Sequence, residues 1–209
     1  MMHKRLSVAC IVLILSATAL GSRMSFGADT APKGWFAAGS HPQDYEMSVD
    51  MAVKHGGKAG AHVKFIGEKA EGFGTLMQEF KADDYRGKRV RMSAWMKSEN
   101  ADSANLWMRL DGSKRMLGFD NMGNRPVKGT TDWKKYEITL DVPDDTVDIA
   151  FGVFVEGKGE AWVDDFGFEV VDQHVPLTNL LTPEQAKEEH DMAASPKLPK
   201  GPINLDFEE

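Results

Sequence analysis

The strongest constraint on this sequence is a period-two alternation of apolar residues that recurs from about residue 34 to residue 171. In "RVRMSAWMK", Val90, Met92, Ala94 and Met96 occupy every second position. Successive side chains of a strand point to opposite faces, so such runs predict strands with one buried face. Ten candidate strands follow: 34–39, 45–50, 61–66, 73–81, 88–97, 105–111, 115–121, 134–142, 147–156 and 160–171.

The segments between these candidate strands have the composition of turns. "HGGKAG", "DDYRGK", "DNMGNRP", "PDDT" and "GKG" are rich in Gly, Asp, Asn and Pro, and no sustained helical period competes with them. Short strands at this spacing are typical of antiparallel sandwiches. The sequence therefore predicts an all-β domain over residues 34–171, an antiparallel β-sandwich of the jelly-roll type.

The first residues resemble a targeting segment. A basic start, "MMHKR", precedes the apolar run Leu6–Leu20, and small residues suited to cleavage follow, up to Gly27. A signal peptide over residues 1–27 is the prediction, with a retained membrane anchor as the alternative. Cys10, the only cysteine, lies inside the apolar run, so a mature chain has no disulfide or catalytic thiol. We expect an exported protein, periplasmic or extracellular.

The charge of the chain bears on its partners. Its formal net charge is −7 over 209 residues, and it contains no dense cluster of Lys and Arg. Phosphate backbones are bound by basic surfaces, so the sequence argues against a nucleic-acid partner. It indicates no membrane partner after removal of the signal peptide, and it does not identify a protein partner.

The C-terminal extension, residues 172–209, differs from the sandwich in pattern. Thr182 and Gln185 form a capping-box pattern that predicts a short helix over 183–194. A Pro-rich spacer, "SPKLPKGP", follows it. The final "INLDFEE" predicts either a strand over 203–209 that returns to the sandwich or a solvated tail.

Two long segments resemble a known class of domain. "YRGKRVRMSAWMKSE" (85–99) and "TTDWKKYEITLDVPDDTVDIAFGVFVEGKGEAWVDDFGFEVV" (130–171) are similar to galactose-binding-like jelly rolls, which include carbohydrate-binding modules. A similar sandwich occurs in exported bacterial hypothetical proteins and is fused to some AraC-type regulators and hydrolases. The residues that match the outline of these domains are Trp133, Tyr136, Pro143, Gly157, Gly159, Trp162, Asp164 and Asp165.

The resemblance implies a ligand-binding role for one unusual strand face. In "NLWMRLD", Trp107, Arg109 and Asp111 alternate with the apolar Leu106, Met108 and Leu110. In the resembling modules aromatic rings on an open sheet stack on sugars, while polar groups bond the hydroxyls. The residues predicted to bind a ligand are Trp95, Trp107, Arg91, Arg109, Asp111, Asp120 and Asn121. The alternative is structural, with a covered tryptophan and cross-strand ion pairs.

The resemblance also implies a structural calcium site. In such jelly rolls an "N-x-x-F-E" strand opens the domain and supplies a glutamate, whereas here "NLDFEE" is at the end of the chain. If that segment folds back, Glu208 can meet Asp164 or Asp165 in a site of oxygen ligands. No other cofactor is indicated.

Catalytic motifs are missing from the sequence. It contains no G-x-S-x-G elbow, no H-E-x-x-H and no histidines at metal-ligand spacing. The sequence therefore predicts a non-catalytic exported module that binds a carbohydrate or a similar polar small ligand on a concave sheet face. The alternatives are a structural or protein-interaction module without a small ligand, and a weak glycoside-type hydrolase with dispersed carboxylates.

Overall fold

The computed structural model describes residues 31–189 and 197–209. The predicted signal peptide over residues 1–27 and Cys10 lie outside these residues, and so does the end of the predicted helix. Within the described residues no helix is long and apolar enough to cross a membrane. The strands are β1 (Phe36–Gly39), β2 (Tyr45–Asp50), β3 (Gly60–Phe65), β4 (Phe73–Lys81), β5 (Lys88–Asp111), β6 (Met116–Asp120), β7 (Val127–Val142), β8 (Asp148–Glu156) and β9 (Glu160–Val171).

The long strand β5 joins two antiparallel sheets. Its first half, Lys88–Glu99, lies between β7 and β9, and its second half, Ser103–Asp111, lies between β8 and β6. The first sheet therefore has the order β1-β4-β8-β5-β6, and the second has the order β2-β3-β9-β5-β7. Register shifts between β5 and β7 accumulate from Met96 to Ala104, where β5 passes from one sheet to the other.

The main core fills the space between the inner faces of the two sheets. Leu106, Met108 and Leu110 belong to it, as the alternation predicts, and all three are fully buried. Aromatic rings from three strands meet at its centre, where Phe151 contacts Phe80 and Phe166 at centroid distances of 5.7 and 5.5 Å. Non-directional burial of these side chains is the main stabilising contribution to the fold.

The structure confirms an antiparallel β-sandwich of the jelly-roll type, and two of its strands are longer than predicted. The predicted strands 88–97 and 105–111 are parts of β5, and the predicted strand 134–142 begins at Val127. The polar run "SENADS" between them has the composition of a turn, yet it stays paired with β7. Ser98 Oγ donates to the Gly129 carbonyl at 3.0 Å, and the Asn100 N–H donates to Thr130 Oγ1 at 3.1 Å.

The C-terminal extension bonds the first sheet at two places, the edge strand β6 and the end of β4 that β1 does not cover. Beside β6, the Leu180 N–H donates to the Phe119 carbonyl at 2.7 Å. Beside β4, the Lys81 N–H donates to the Pro199 carbonyl at 3.0 Å. These bonds use backbone groups that an edge strand otherwise exposes, so the extension protects the sheet against edge pairing.

The predicted helix over 183–194 is, in its described part, a single 3-10 turn at Gln185–Lys187. The capping box is present, because Thr182 and Gln185 exchange bonds of 2.9 and 3.2 Å between side chain and backbone. The turn contains no buried residue. A capped helix of this length needs an apolar face to pack, and the described residues 183–189 include no buried side chain.

Residues 203–209 return to the sandwich as an irregular segment, not as the predicted strand. Asn204 and Phe207 adopt left-handed backbone conformations, with φ of 48° and 57°. Such residues bend the chain and interrupt the alternation that a strand requires. Phe207 nevertheless enters the main core, where 2% of it is exposed.

Candidate functional site

The outer face of the first sheet has large side chains on both sides of a strip of small ones. Pairing registers align its residues in two rows across the sheet. The small residues Ala150 and Gly152 of β8 lie in the middle of these rows, and Ala150 is fully buried in a cluster with Met77 and Trp107. A Cβ on Gly152 would lie 2.2 Å from the Leu76 carbonyl oxygen, so the strand spacing requires glycine there. We call this face the trough; its rows are Phe36–Met77–Gly152–Trp107 and Glu79–Ala150–Arg109–Phe119.

Trp107 forms part of the floor of the trough. Only 3% of it is exposed, and its indole N–H donates to Thr75 Oγ1 at 2.8 Å. The ring belongs to a second apolar cluster, separate from the main core, with Phe73, Met77 and Phe154 among its members. A buried tryptophan whose N–H is satisfied is a packing element. Trp107 is therefore covered, and it does not offer its face to solvent.

Arg109 is the centre of a buried network of charges at one end of the trough. Its Nε lies 2.9 and 2.8 Å from the two carboxylate oxygens of Asp111, and its Nη2 lies 2.8 Å from Asp111 Oδ2. Asp148 faces Asp111 across the β5–β8 pair, and Glu79 lies on β4 in the same row as Arg109. Three carboxyl groups therefore share one guanidinium in a region that is largely closed to water.

Burial changes the ionisation of all three carboxyl groups. Desolvation raises the pKa of Asp111 to about 6, although Arg109 acts in the opposite direction. Desolvation and the neighbouring charge of Asp111 raise the pKa of Asp148 to about 7. Burial also raises the pKa of Glu79. The three groups hold fewer negative charges near neutral pH than exposed carboxylates would hold.

Asp120 and Asn121 lie at the end of β6 and shape the turn that follows. Asp120 is fully buried, where it pairs with Arg125 at 2.7 Å and accepts the Met122 N–H at 2.7 Å. Asn121 Oδ1 accepts the Gly123 N–H at 3.0 Å. Both side chains have the contacts of turn-forming residues.

Arg91 and Trp95 lie on the second sheet, away from the trough. Arg91 pairs with Glu169 at 2.7 Å on the outer face of that sheet. Trp95 stacks on His55, with ring centroids 3.9 Å apart and planes 13° from parallel. The structure thus divides the predicted ligand-binding residues between two sheets, because β5 changes sheets between Trp95 and Trp107.

The predicted calcium ligands surround the loop before β3. Glu208 accepts N–H groups of Lys58 and Ala59, and Asp164 Oδ2 accepts those of His55 and Gly56. Within the described part of the chain, no group of three or more His, Cys, Asp or Glu side chains is arranged to hold a metal. Oxygens directed at peptide N–H groups do not fit a calcium site.

Sequence reasoning missed Phe36, Glu79, Phe119 and Asp148 as members of the trough. Each of them lies in a segment that the alternation predicts as a strand. Alternation assigns a residue to one of two faces, but it does not say which strands are neighbours. Pairing of β4, β8 and β5 is what places Glu79 and Asp148 near Arg109.

Comparison with known proteins identifies one curated relative. No family model matches the chain. The chain is similar to the uncharacterized HTH-type transcriptional regulator YbfP of Bacillus subtilis (strain 168), with 45% identity over 184 residues. That similarity covers 85% of this chain and 57% of the regulator, so the chain spans just over half the length of the relative.

Solved structures share the fold at low sequence identity. The enzymatically active domain of tailspike protein 4 of bacteriophage CBA120 has a TM-score of 0.53 and 10% identity, covering 66% of this chain and 20% of that one. The CBM22-1 xylan-binding domain of Xyn10C from Paenibacillus barcinonensis has a TM-score of 0.50 and 14% identity, covering 69% and 90%. The chain has the β-sandwich jelly-roll fold of carbohydrate-binding modules.

Proposed function

We propose that this chain is an exported, non-catalytic module that binds a carbohydrate or a similar polar small ligand in the trough. The observation that carries the proposal is a pair of partly exposed aromatic rings with the half-buried carboxyl group of Glu79 between them. Phe36, 42% exposed, and the half-buried Phe119 lie at opposite ends of the two rows, and Arg109 and Glu79 lie between them. Aromatic rings stack on the C–H face of a pyranose, and charged groups bond its hydroxyls.

The arrangement of carboxyl groups supports binding without catalysis. A glycosidase places two carboxyl groups on either side of the scissile bond, about 5 Å or more apart. Asp111 and Asp148 are instead direct cross-strand neighbours that share the guanidinium of Arg109. A sugar ring has no place between them, so the hydrolase alternative is the weaker one.

Export and the absence of a nucleic-acid partner complete the proposal. Export rests on the basic start and the apolar run Leu6–Leu20. The relative is named for a helix-turn-helix, but this chain spans only 57% of that protein. The formal net charge of −7 supports a ligand other than nucleic acid.

A titration of intrinsic tryptophan fluorescence against a panel of mono- and polysaccharides tests the proposal. We expect a saturable change with one class of sugar, and at least a 10-fold weaker affinity in Phe36→Ala and Phe119→Ala, since each removes a stacking surface. Ile66→Ala is the matched control, because Ile66 is 56% exposed and lies outside the trough. If no sugar gives a response, or if all three variants bind alike, the trough is not the binding site.

A structural or protein-interaction module is the second candidate, and the burial of Trp107 and Arg109 favours it. Their exposed fractions, 3% and 6%, are those of packing residues. That function predicts no saccharide response from the folded protein.

A further inference from the structure

Outside the trough, a groove of the domain holds the segment Ile203–Glu209 through hydrogen bonds and apolar contacts. Beside it, the buried side chain of Gln78 forms two bonds with one residue of the segment. Gln78 Nε2 donates to the Ile203 carbonyl at 2.9 Å, and the Ile203 N–H donates to Gln78 Oε1 at 2.8 Å. A side-chain amide that pairs with both backbone groups of one residue recognises an extended peptide and not a particular side chain.

Asn204 is held by the start of the described chain. Its carbonyl accepts the indole N–H of the buried Trp35 at 3.0 Å, and its Nδ2 donates to the Lys33 carbonyl at 3.2 Å. Asn204 Oδ1 in turn accepts the Glu209 N–H at 3.1 Å. Asparagine suits this position because its amide closes the turn and tolerates the left-handed conformation.

Phe207 fills the apolar part of the groove. Its ring lies 5.0 Å from the ring of Trp35 and 6.2 Å from that of Phe166, and 2% of the residue is exposed. Next to it, the Phe166 N–H donates to the Leu205 carbonyl at 2.9 Å. Without the segment, Trp35 and Phe166 would lose both an aromatic contact and a hydrogen-bond acceptor.

Glu208 provides a charged contact between the segment and the loop before β3. Its carboxylate accepts the N–H groups of Lys58 and Ala59, which lowers its pKa below the ordinary value for glutamate. Gly57, immediately before Lys58, has a φ of 53°, and a Cβ there would collide with Glu208. Two adjacent N–H groups beside a residue of positive φ form a concave anion site of the kind called a nest. By contrast, Asp206 is exposed.

We propose that this groove is a peptide-binding site for the pattern Asn-x-x-Phe-Glu, and that this chain supplies the peptide itself as a separable segment, residues 203–209. The groove has backbone-directed bonds, an asparagine site, an aromatic pocket and an anion site in series. These are the components of short-peptide recognition, where main-chain bonds give affinity and pockets give specificity. The same sequence offered as a free peptide binds the groove once the covalent connection is cut.

The test uses the full chain with a site-specific protease sequence introduced within residues 190–196. The cut protein is incubated with a fluorescent synthetic peptide, "KLPKGPINLDFEE", and peptide incorporation is measured after gel filtration. We expect the cut tail to stay bound through gel filtration and the labelled peptide to replace it saturably. The peptide Phe207→Ala should bind at least about 100-fold more weakly, since truncation of a buried phenylalanine costs several kcal/mol.

Two acidic positions of the peptide provide a matched pair. Glu208→Gln should weaken binding about 5- to 30-fold, because it removes a charge-assisted bond to the nest. Asp206→Asn should change it less than about 2-fold, because surface substitutions without contacts have small effects. Unfolding of the protein on cutting overturns the proposal. Absence of incorporation does so too, as does equal incorporation of the Phe207→Ala peptide.

Discussion

Two arginines of β5 each bond an aspartate through two guanidinium nitrogens, but the pKa values of the two aspartates shift in opposite directions. Arg89 bonds both carboxylate oxygens of Asp141 at 2.8 Å on the second sheet, and the pKa of Asp141 is lowered. Arg109 bonds both oxygens of Asp111 in the trough, and the pKa of Asp111 is raised. The side chain of Asp141 is 48% exposed and that of Asp111 is 3% exposed. Hydrogen-bond geometry alone therefore does not decide the ionisation of the aspartate. At Asp111 the pKa increase from desolvation outweighs the decrease from Arg109.

The same contrast holds for the two tryptophans of β5. Trp95 is half-buried against His55 on the second sheet, whereas Trp107 is enclosed in the second apolar cluster. Both tryptophans lie on the face of the strand that is opposite the main core. Two outer faces of one sandwich thus differ in their solvent exposure. The following predictions test that difference.

The largest expected effect is that of Trp107→Ala. We expect a loss of about 4 kcal/mol in the free energy of unfolding, as for other buried aromatic residues, and about 1 kcal/mol for Trp95→Ala. Urea denaturation of both variants measures the difference. Equal losses would show that the two faces are equally packed.

Arg109→Ala should follow at about 3 kcal/mol, because it leaves Asp111 buried without its cation. Arg91→Ala is the control, and we expect less than about 1 kcal/mol from its partly exposed pair with Glu169. The same denaturation experiment at pH 7 compares them. A loss below about 1 kcal/mol for Arg109→Ala would mean that proton uptake by the carboxyl groups compensates fully.

Asp148→Asn should change how stability depends on pH. The folded pKa of Asp148 is about 7 and its ordinary value is 3.8, so its contribution is fully present below pH 4 and is lost as pH rises through 7. Asparagine resembles the neutral acid, so at pH 8 the variant should be more stable than the parent by on the order of 2 kcal/mol. Near pH 4 the two should agree.

Asp141→Asn is the matched variant with the opposite sign. The folded pKa of Asp141 is lowered, so its contribution is present above the ordinary pKa and is lost as pH falls through the lowered value. We expect a small loss of stability at neutral pH, below about 1 kcal/mol, because the carboxylate is exposed. Stabilisation of both variants at pH 8 would contradict the contrast between the two faces.

The smallest expected effect is that of metal removal at the predicted calcium ligands. Asp164 and Glu208 accept backbone N–H groups there, so excess chelator should shift the melting temperature by less than about 1 °C. Differential scanning calorimetry with and without added calcium checks this. A drop of several degrees would restore the calcium site that the family resemblance implies.

Most of the sandwich was predictable because alternation is a local property. Val90, Met92, Ala94 and Met96 share a face in any strand, and all four are fully buried in the structure. The sequence left two alternatives for "INLDFEE", a returning strand and a solvated tail, and neither describes the bent segment that docks. Its left-handed Asn204 and Phe207 depend on the groove around them.

The candidate site was less predictable, for a reason that β5 makes clear. Sequence reasoning grouped Trp95 with Trp107 because both lie on the face opposite the main core. The passage of β5 from one sheet to the other separates them, because its first half pairs with β7 and β9 and its second half pairs with β8 and β6. Strand order and register are properties of long-range pairing, which no local pattern encodes.

The sequence by itself determined an all-β jelly roll, its main core and most of the turns that join its strands, because these follow from side-chain period and backbone preference. Only the tertiary structure decided which outer face is closed, which carboxyl groups meet Arg109 and how the C-terminal segment docks. Those outcomes depend on desolvation and on contacts between residues distant in the chain. Arg89 and Arg109 show this directly: the pairs are alike in geometry, and burial gives them opposite electrostatic consequences.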